Sequence, residues 1–408
     1  MGIYPLNTIQ RFFRLALALV FGMAIALLVH APRAVVAQSP PTPVTELRGV
    51  WMTNIDSDVL FSASRLSDAL QRLKQLNFNT VYPTVWNWGY TLYPSAVAQR
   101  EIGRSLDPTP GLQGRDMLKE VVEQGHRLQM SVIPWFEFGF MAPAGSDLAK
   151  RHPEWITQRR DGSQIVREGK HPRVWLNPFH PEVQQFLVDL ISEVVTNYDI
   201  DGIQLDDHFG LPAELGYDPY TVQLYQLEHR GRRPPDNPQD VEWVRWRANK
   251  ITQVMAKVFA EVKARKPNVL ISLSPNPQEF AYTTYLQDWF GWERRGYVEE
   301  LVLQLYRNDL ARFIEELQQP EVKQALSHIP VAVGVLSGLK GRSVPMQQIQ
   351  QQVQEIRKQG FAGVSFFFYE TLWNLSDERA SDRTSALSRL FPRAATRPSL
   401  LQCWSGSR

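Results

Sequence analysis

Cysteine is almost missing from this chain: among 408 residues only Cys403 occurs, in a polar tail. One thiol cannot form an intramolecular disulfide, and its place at the end of the chain suits no nucleophile. Because no cysteine directly follows Ala37, where Gln38 stands, a lipid-anchored lipoprotein is not expected either. The chain also lacks an excess of charge. Its 44 Lys and Arg stand against 42 Asp and Glu, a formal net of +2, which leaves no clustered basic face for nucleic acid. No glycine-rich phosphate loop follows a strand, no serine sits in a G-x-S-x-G elbow, and the eight histidines include no i, i+4 pair around a glutamate. Nucleotide chemistry, serine hydrolysis and a helical zinc site are thereby disfavoured, and neither cofactor nor metal is expected.

Long apolar runs are scarce too. The longest, Leu15 to Val29, falls short of the roughly twenty residues that span a bilayer. With Arg11 and Arg14 before it and Val35-Val36-Ala37 after it, residues 1–37 read as an export signal cleaved after Ala37. Its removal takes three arginines and no acid, leaving 41 basic against 42 acidic residues. Residues 38–45, with Ser39-Pro40-Pro41-Thr42-Pro43, read as a stiff spacer. The mature protein is expected to be periplasmic or secreted, without a membrane span and with its oligomeric state open. A 43% hydrophobic content supplies a core large enough to do without disulfides.

What is present is an alternation. Short apolar runs at 47–53, 80–86, 131–137, 202–207, 270–275, 301–306, 331–336 and 363–370 are separated by amphipathic stretches. The clearest of these are 64–76, 115–129, 181–198, 241–266, 310–326 and 346–359. Eight strand-helix units imply parallel strands closed into a single (β/α)8 barrel over residues 46–391, an α/β fold. The connections after strands three and four are unusually long, and in this architecture such loops build the working face. Residues 392–408 have little periodicity and are expected to form a mobile tail.

Side-chain parity points to that face. In "DGIQLDDHFG" the apolar Ile203 and Leu205 belong outside against helices, so Gln204 and Asp206 point into the barrel and Asp207 is free on the rim. Gln304 and Tyr306 in strand six and Asn276 after strand five follow the same rule. Glu137 ends strand three and Glu370 ends strand eight, so four carboxylates, Glu137, Asp206, Asp207 and Glu370, are expected on one rim. Like charges so close raise the pKa of at least one member, giving the protonated and ionised pair that glycosidic cleavage needs. A satisfied polar layer with Arg48, His208 or backbone amides is the alternative. Around these acids Trp86, Trp88, Trp135, Trp175 and Trp373 offer flat rings suited to sugars.

Successive motifs, "ELRGVWMT", "LYPS", "WLNPFHPEV", "DGIQLDDHF", "LQLY" and "GFAGVSFFFYE", resemble those of the glycosyl-hydrolase-like 10 family of bacterial envelope proteins, in the family's order over about Glu46 to Leu390. The resemblance implies a TIM-type barrel with glycoside hydrolase activity, with peptidoglycan glycan strands as the nearest precedent. It maps the family's two aspartates onto Asp206 and Asp207, with Asn177 in the "WLNP" motif as a substrate contact. Gln204 stands where relatives have histidine, His208 where they have tyrosine, and Glu137 where many have asparagine. Compared more loosely with family 18 chitinases, His208 occupies the place of their glutamate proton donor. The expected substrate is therefore an envelope polysaccharide with N-acetylated sugars. A non-catalytic glycan-binding barrel and a metal-dependent polysaccharide deacetylase are the alternatives.

Overall fold

The computed structural model describes residues 44–399. The expected export signal, residues 38–43 of the spacer and residues 400–408 lie outside the described residues. Eight parallel strands carry the architecture: β1 Leu47–Met52, β2 Thr80–Pro83, β3 as Ser131–Val132 and Trp135–Phe136, β4 Gly202–Asp206, β5 Leu270–Ser274, β6 Glu300–Gln304, β7 Val331–Leu336 and β8 Gly363–Phe367. Each pairs with its successor, and β8 returns to β1 through Gly363 beside Leu47.

β3 is split because Pro134 has no N–H to donate. Its first half pairs with Thr80 and Val81 of β2, and its second half pairs with Gln204 and Leu205 of β4. A bridge from Thr84 to Trp135, together with the Gln204 N–H donating to the Pro134 carbonyl at 2.8 Å, carries the sheet across the break. The sheet therefore closes, as the alternation of the sequence predicts.

Parity sorts the core into two. Ile203, Leu205, Ile271 and Leu273 join the outer layer with the buried faces of the helices. Inside the barrel lie Trp51, Tyr82, Ile133, Trp135, Val302 and Ala332. Such large rings fit only beside small residues: a Cβ at Gly49 would stand 2.8 Å from the Tyr82 ring. The helices start where side chains cap free N–H groups, as Ser62, Asp116 and Asp240 do. The helix expected over 310–326 is two, Leu310–Leu317 and Pro320–Leu326, because Pro320 can only begin a helix. No helix among the described residues is long and apolar enough to cross a membrane.

The two long loops carry structure of their own. The connection after β3 folds into a three-stranded antiparallel sheet of Met141–Pro143, Val166–Glu168 and His171–Trp175, and the one after β4 holds the helix Pro219–Glu228. At the opposite end, part of the expected mobile tail is placed. Ala395–Thr396 pairs in parallel with Val44–Thr45, and the Arg397 guanidinium enters the barrel floor to bond Glu300 and Thr80. Tyr82 donates its hydroxyl to the same Glu300 at 3.2 Å. A buried carboxylate that needs a cation explains why this stretch is held despite its lack of periodicity.

Candidate active site

Asp206 ends β4 inside the barrel, 2% exposed, and every side-chain hydrogen bond it accepts comes from an N–H. The Trp135 indole donates to Oδ2 at 2.8 Å, while the Gln304 amide and the Asp207 backbone N–H donate to Oδ1, each at 2.6 Å. Three donors favour the carboxylate, but burial and the adjacent charge of Asp207 push its pKa well above the ordinary range. Asp207 turns over the rim as expected and accepts from the Asn276 amide at 2.7 Å.

Glu137 sits one residue beyond the β3–β4 register that pairs Phe136 with Leu205, level with Asp206. Its Oε2 accepts from Asn87 at 2.7 Å, from Thr84 at 3.1 Å and from Thr53 at 3.4 Å. Burial outweighs these bonds and the nearby charge of His208, and raises its pKa to about 7. Tyr306, two residues past the end of β6, lies near this group, stacked on Phe367 at 5.4 Å. Burial and the charges of Asp206, Asp207 and Glu137 hold its phenol protonated.

His208 is a cation here. Its Nδ1 donates to the Glu137 carbonyl at 3.1 Å, with Asp207 Oδ1 at 3.4 Å, and its Nε2 donates to Glu168 Oε1 at 3.1 Å. Burial opposes the charge, but Asp207, Glu168 and Asp206 raise the pKa to about 10. Glu168, in turn, is brought down to about 2 against its burial by His208 and Arg173. Asp206, Asp207 and His208 each offer a ligand atom within 4.8 Å of the others. Both ring nitrogens of His208 also lie within hydrogen-bond distance of protein oxygens, the Glu137 carbonyl and Glu168 Oε1.

The family profile described as Glycosyl hydrolase-like 10 matches residues 46–355. The chain belongs to this family. It is similar to "Glycosyl hydrolase YngK" of Bacillus subtilis (strain 168), 27% identical over 251 residues, 56% of this chain and 45% of that one. It is also similar to "Glycosyl hydrolase DigH" of Escherichia coli (strain K12), 26% identical over 278 residues, 59% and 58% of the two. The chain thus spans about half the length of these relatives. Among solved structures, the PgaB (BpsB) glycoside hydrolase domain from Bordetella bronchiseptica superposes with a TM-score of 0.62 at 12% identity, covering 85% of this chain and 99% of that one. The β-amylase catalytic domain from Paenibacillus polymyxa gives 0.58 at 11%, covering 85% and 99%. Both likenesses are of fold.

Several residues expected at the rim of this glycosyl hydrolase-like 10 barrel are used elsewhere. Trp86 is fully buried and donates to the Gly139 carbonyl at 3.0 Å. Trp175 is buried behind His208, and Trp373 is buried under the Arg72 guanidinium. Trp135 serves Asp206 from inside the barrel. Gln204 lies a layer lower, accepting from Trp51 at 2.7 Å and donating to Ser272 at 3.0 Å. Asn177 donates to Asp218 and Thr221 and fastens the start of the helix Pro219–Glu228 in the fourth loop. Glu370 accepts from Ser57 and Asn374, four strands round the barrel from β4, so the structure does not group it with the other three acids. The common reason is that a ring or amide after a strand is as readily consumed by loop packing as offered to solvent.

Trp88 does stay at the rim of the glycosyl hydrolase-like 10 site, half-buried. It occupies a two-residue hairpin turn with Gly89, both at positive φ (53° and 77°), which a tryptophan adopts only at a cost. Arg173 lies 4.3 Å over its ring and also binds Glu168 at 3.2 Å. Glu168 and Arg173 were not legible beforehand; both stand in "VREGKHPRVW", a stretch whose only early signal is its charge.

Proposed function

We propose that the protein is an exported glycoside hydrolase acting on peptidoglycan glycan strands or another N-acetylated envelope glycan. The observation that carries this reading is the placement of Glu137 and Asp206 at the ends of adjacent strands, both buried, with burial raising the pKa of each and bringing that of Glu137 to about 7, the range of a proton donor. Glu137, near 7, is the general acid. Asp206, held by three N–H donors, is the nucleophile or the base that orients an acetamido group, and Asp207 with Asn276 shapes the subsite between them. His208 cannot take the donor's place, because its proton is shared with two carboxylates and a carbonyl; its charge instead steadies Asp207. The expected export signal and the half-buried Trp88 and Tyr306 agree with a polymeric sugar substrate.

The test is incubation of the purified chain with defined glycan strands, followed by mass spectrometry. Hydrolysis is expected, and Asp206→Asn should lower its rate roughly a thousandfold while leaving the melting temperature nearly unchanged. Binding of the strands without cleavage by the wild type would instead mark a glycan-binding barrel.

A further inference from the structure

The strand-four segment ends in Gly210, and the need for glycine lies in the next loop. A Cβ at 210 would stand 2.6 Å from the Tyr285 carbonyl oxygen and 3.1 Å from the Tyr285 Cβ. Only glycine lets the end of the helix Gln278–Tyr285 close against the residues that follow Asp207. The contact is locked next door, where Leu211 N donates to Tyr285 O at 2.7 Å and Ala213 N to Thr284 O at 2.8 Å. The other end of this helix is tied to the site as well. Asn276, two residues before it, donates to Asp207 and accepts from the Trp289 indole at 3.0 Å.

A short helix clamped to the rim at both ends would be expected to bury its aromatic side chains. Phe280 is instead 49% exposed, with its ring edge-on to Tyr285 at 5.9 Å. Tyr285 is half-buried between the strand-four acids and the long third loop. Burial and the charges of Asp207, Glu168 and Glu214 push its phenol above the ordinary tyrosine range, so the hydroxyl is a donor at every working pH.

We propose that Phe280 and Tyr285 form an aromatic subsite that holds a second sugar ring of an extended glycan next to the ring at Asp207. Phe280 stacks on the apolar face of that ring, and the Tyr285 hydroxyl bonds its polar edge. The subsite rests on the glycoside hydrolase reading above and sharpens it, since the substrate then crosses the rim on the β5 side as a chain.

Glycan strands freed of peptide and sized from the disaccharide upward are the probe, applied to the full chain and to Phe280→Ala, Tyr285→Phe and Lys358→Ala. Lys358, at the floor end of an outer helix, is the control. Hydrolysis is read by chromatography, and binding by calorimetry on the Asp206→Asn form. For long oligomers, Phe280→Ala should raise KM and weaken binding about tenfold more than for the shortest one bound, the size of one stacking contact, with kcat little moved. Tyr285→Phe should shift the same ratio by less. An equal loss at all lengths, or none at any, overturns the subsite while hydrolysis by the wild type still stands. If the wild type neither binds nor cleaves any oligomer, the hydrolase reading itself falls.

Discussion

Glu137 is surrounded by groups that stabilise its ionised form, yet burial holds its pKa at about 7. As general acid it must be protonated, so activity should fall as pH rises through 7, and Glu137→Gln should remove both the activity and that limb of the profile. Stability gives an independent reading. A carboxyl whose folded pKa lies above its unfolded value of about 4.5 destabilises the fold once the unfolded form ionises. Glu137→Gln should therefore raise stability by roughly 2–3 kcal/mol at pH 8 and by little at pH 4, as measured by urea denaturation. The Glu168–His208 pair has the opposite sign. His208, raised to about 10, stabilises fully below 6.5 and loses this above 10; Glu168, lowered to about 2, stabilises above 4.5 and loses this as pH falls through 2. Glu168→Gln should lower the melting temperature at pH 6, and above pH 10 the deficit should shrink to the part that the Arg173 pair carries. Asp206 was legible from "DGIQLDD" because Ile203 and Leu205 reveal the outward face. Glu168 was not, because it reaches His208 across the cleft, and tertiary contacts leave no period.

At the scale of elements, the strands were legible because parallel strands buried on both faces are written as unbroken apolar runs. Even so, the break of β3 at Pro134 and the split at Pro320 were signalled only by the prolines themselves. The helix Gln278–Tyr285 gave no clear pattern, being two turns long with one buried residue, Ala281. Strand pairing also imposes its own residue choices. Gly363 opens β8 at φ 147°, and a Cβ there would stand 2.0 Å from the Leu47 carbonyl oxygen. Gly363→Ala should thus cost at least about 2 kcal/mol, seen as a lower denaturation midpoint with an unchanged slope.

Across the whole molecule, function and closure occupy opposite ends. The acids stand at the C-terminal ends of the strands, while the floor is sealed by Arg397 on Glu300 and Thr80, with Tyr82 donating to the same Glu300. Removing one partner of a buried pair leaves an uncompensated charge, so Arg397→Ala should lose about 3–5 kcal/mol in urea. Its kcat on glycan strands should match the wild type below the transition. This seal escaped the sequence reading because two residues of strand and one arginine in a polar tail carry no periodic signal.

The pairing of Val44–Thr45 with Ala395–Thr396 brings the two ends of the described chain side by side beneath the barrel. A circularly permuted chain, joined there by a short linker and opened in an outer loop, has no long gap to bridge. A bead, dye or surface coupled at that pole would leave the mouth of the cleft facing outward, free to meet a polymer too large to diffuse.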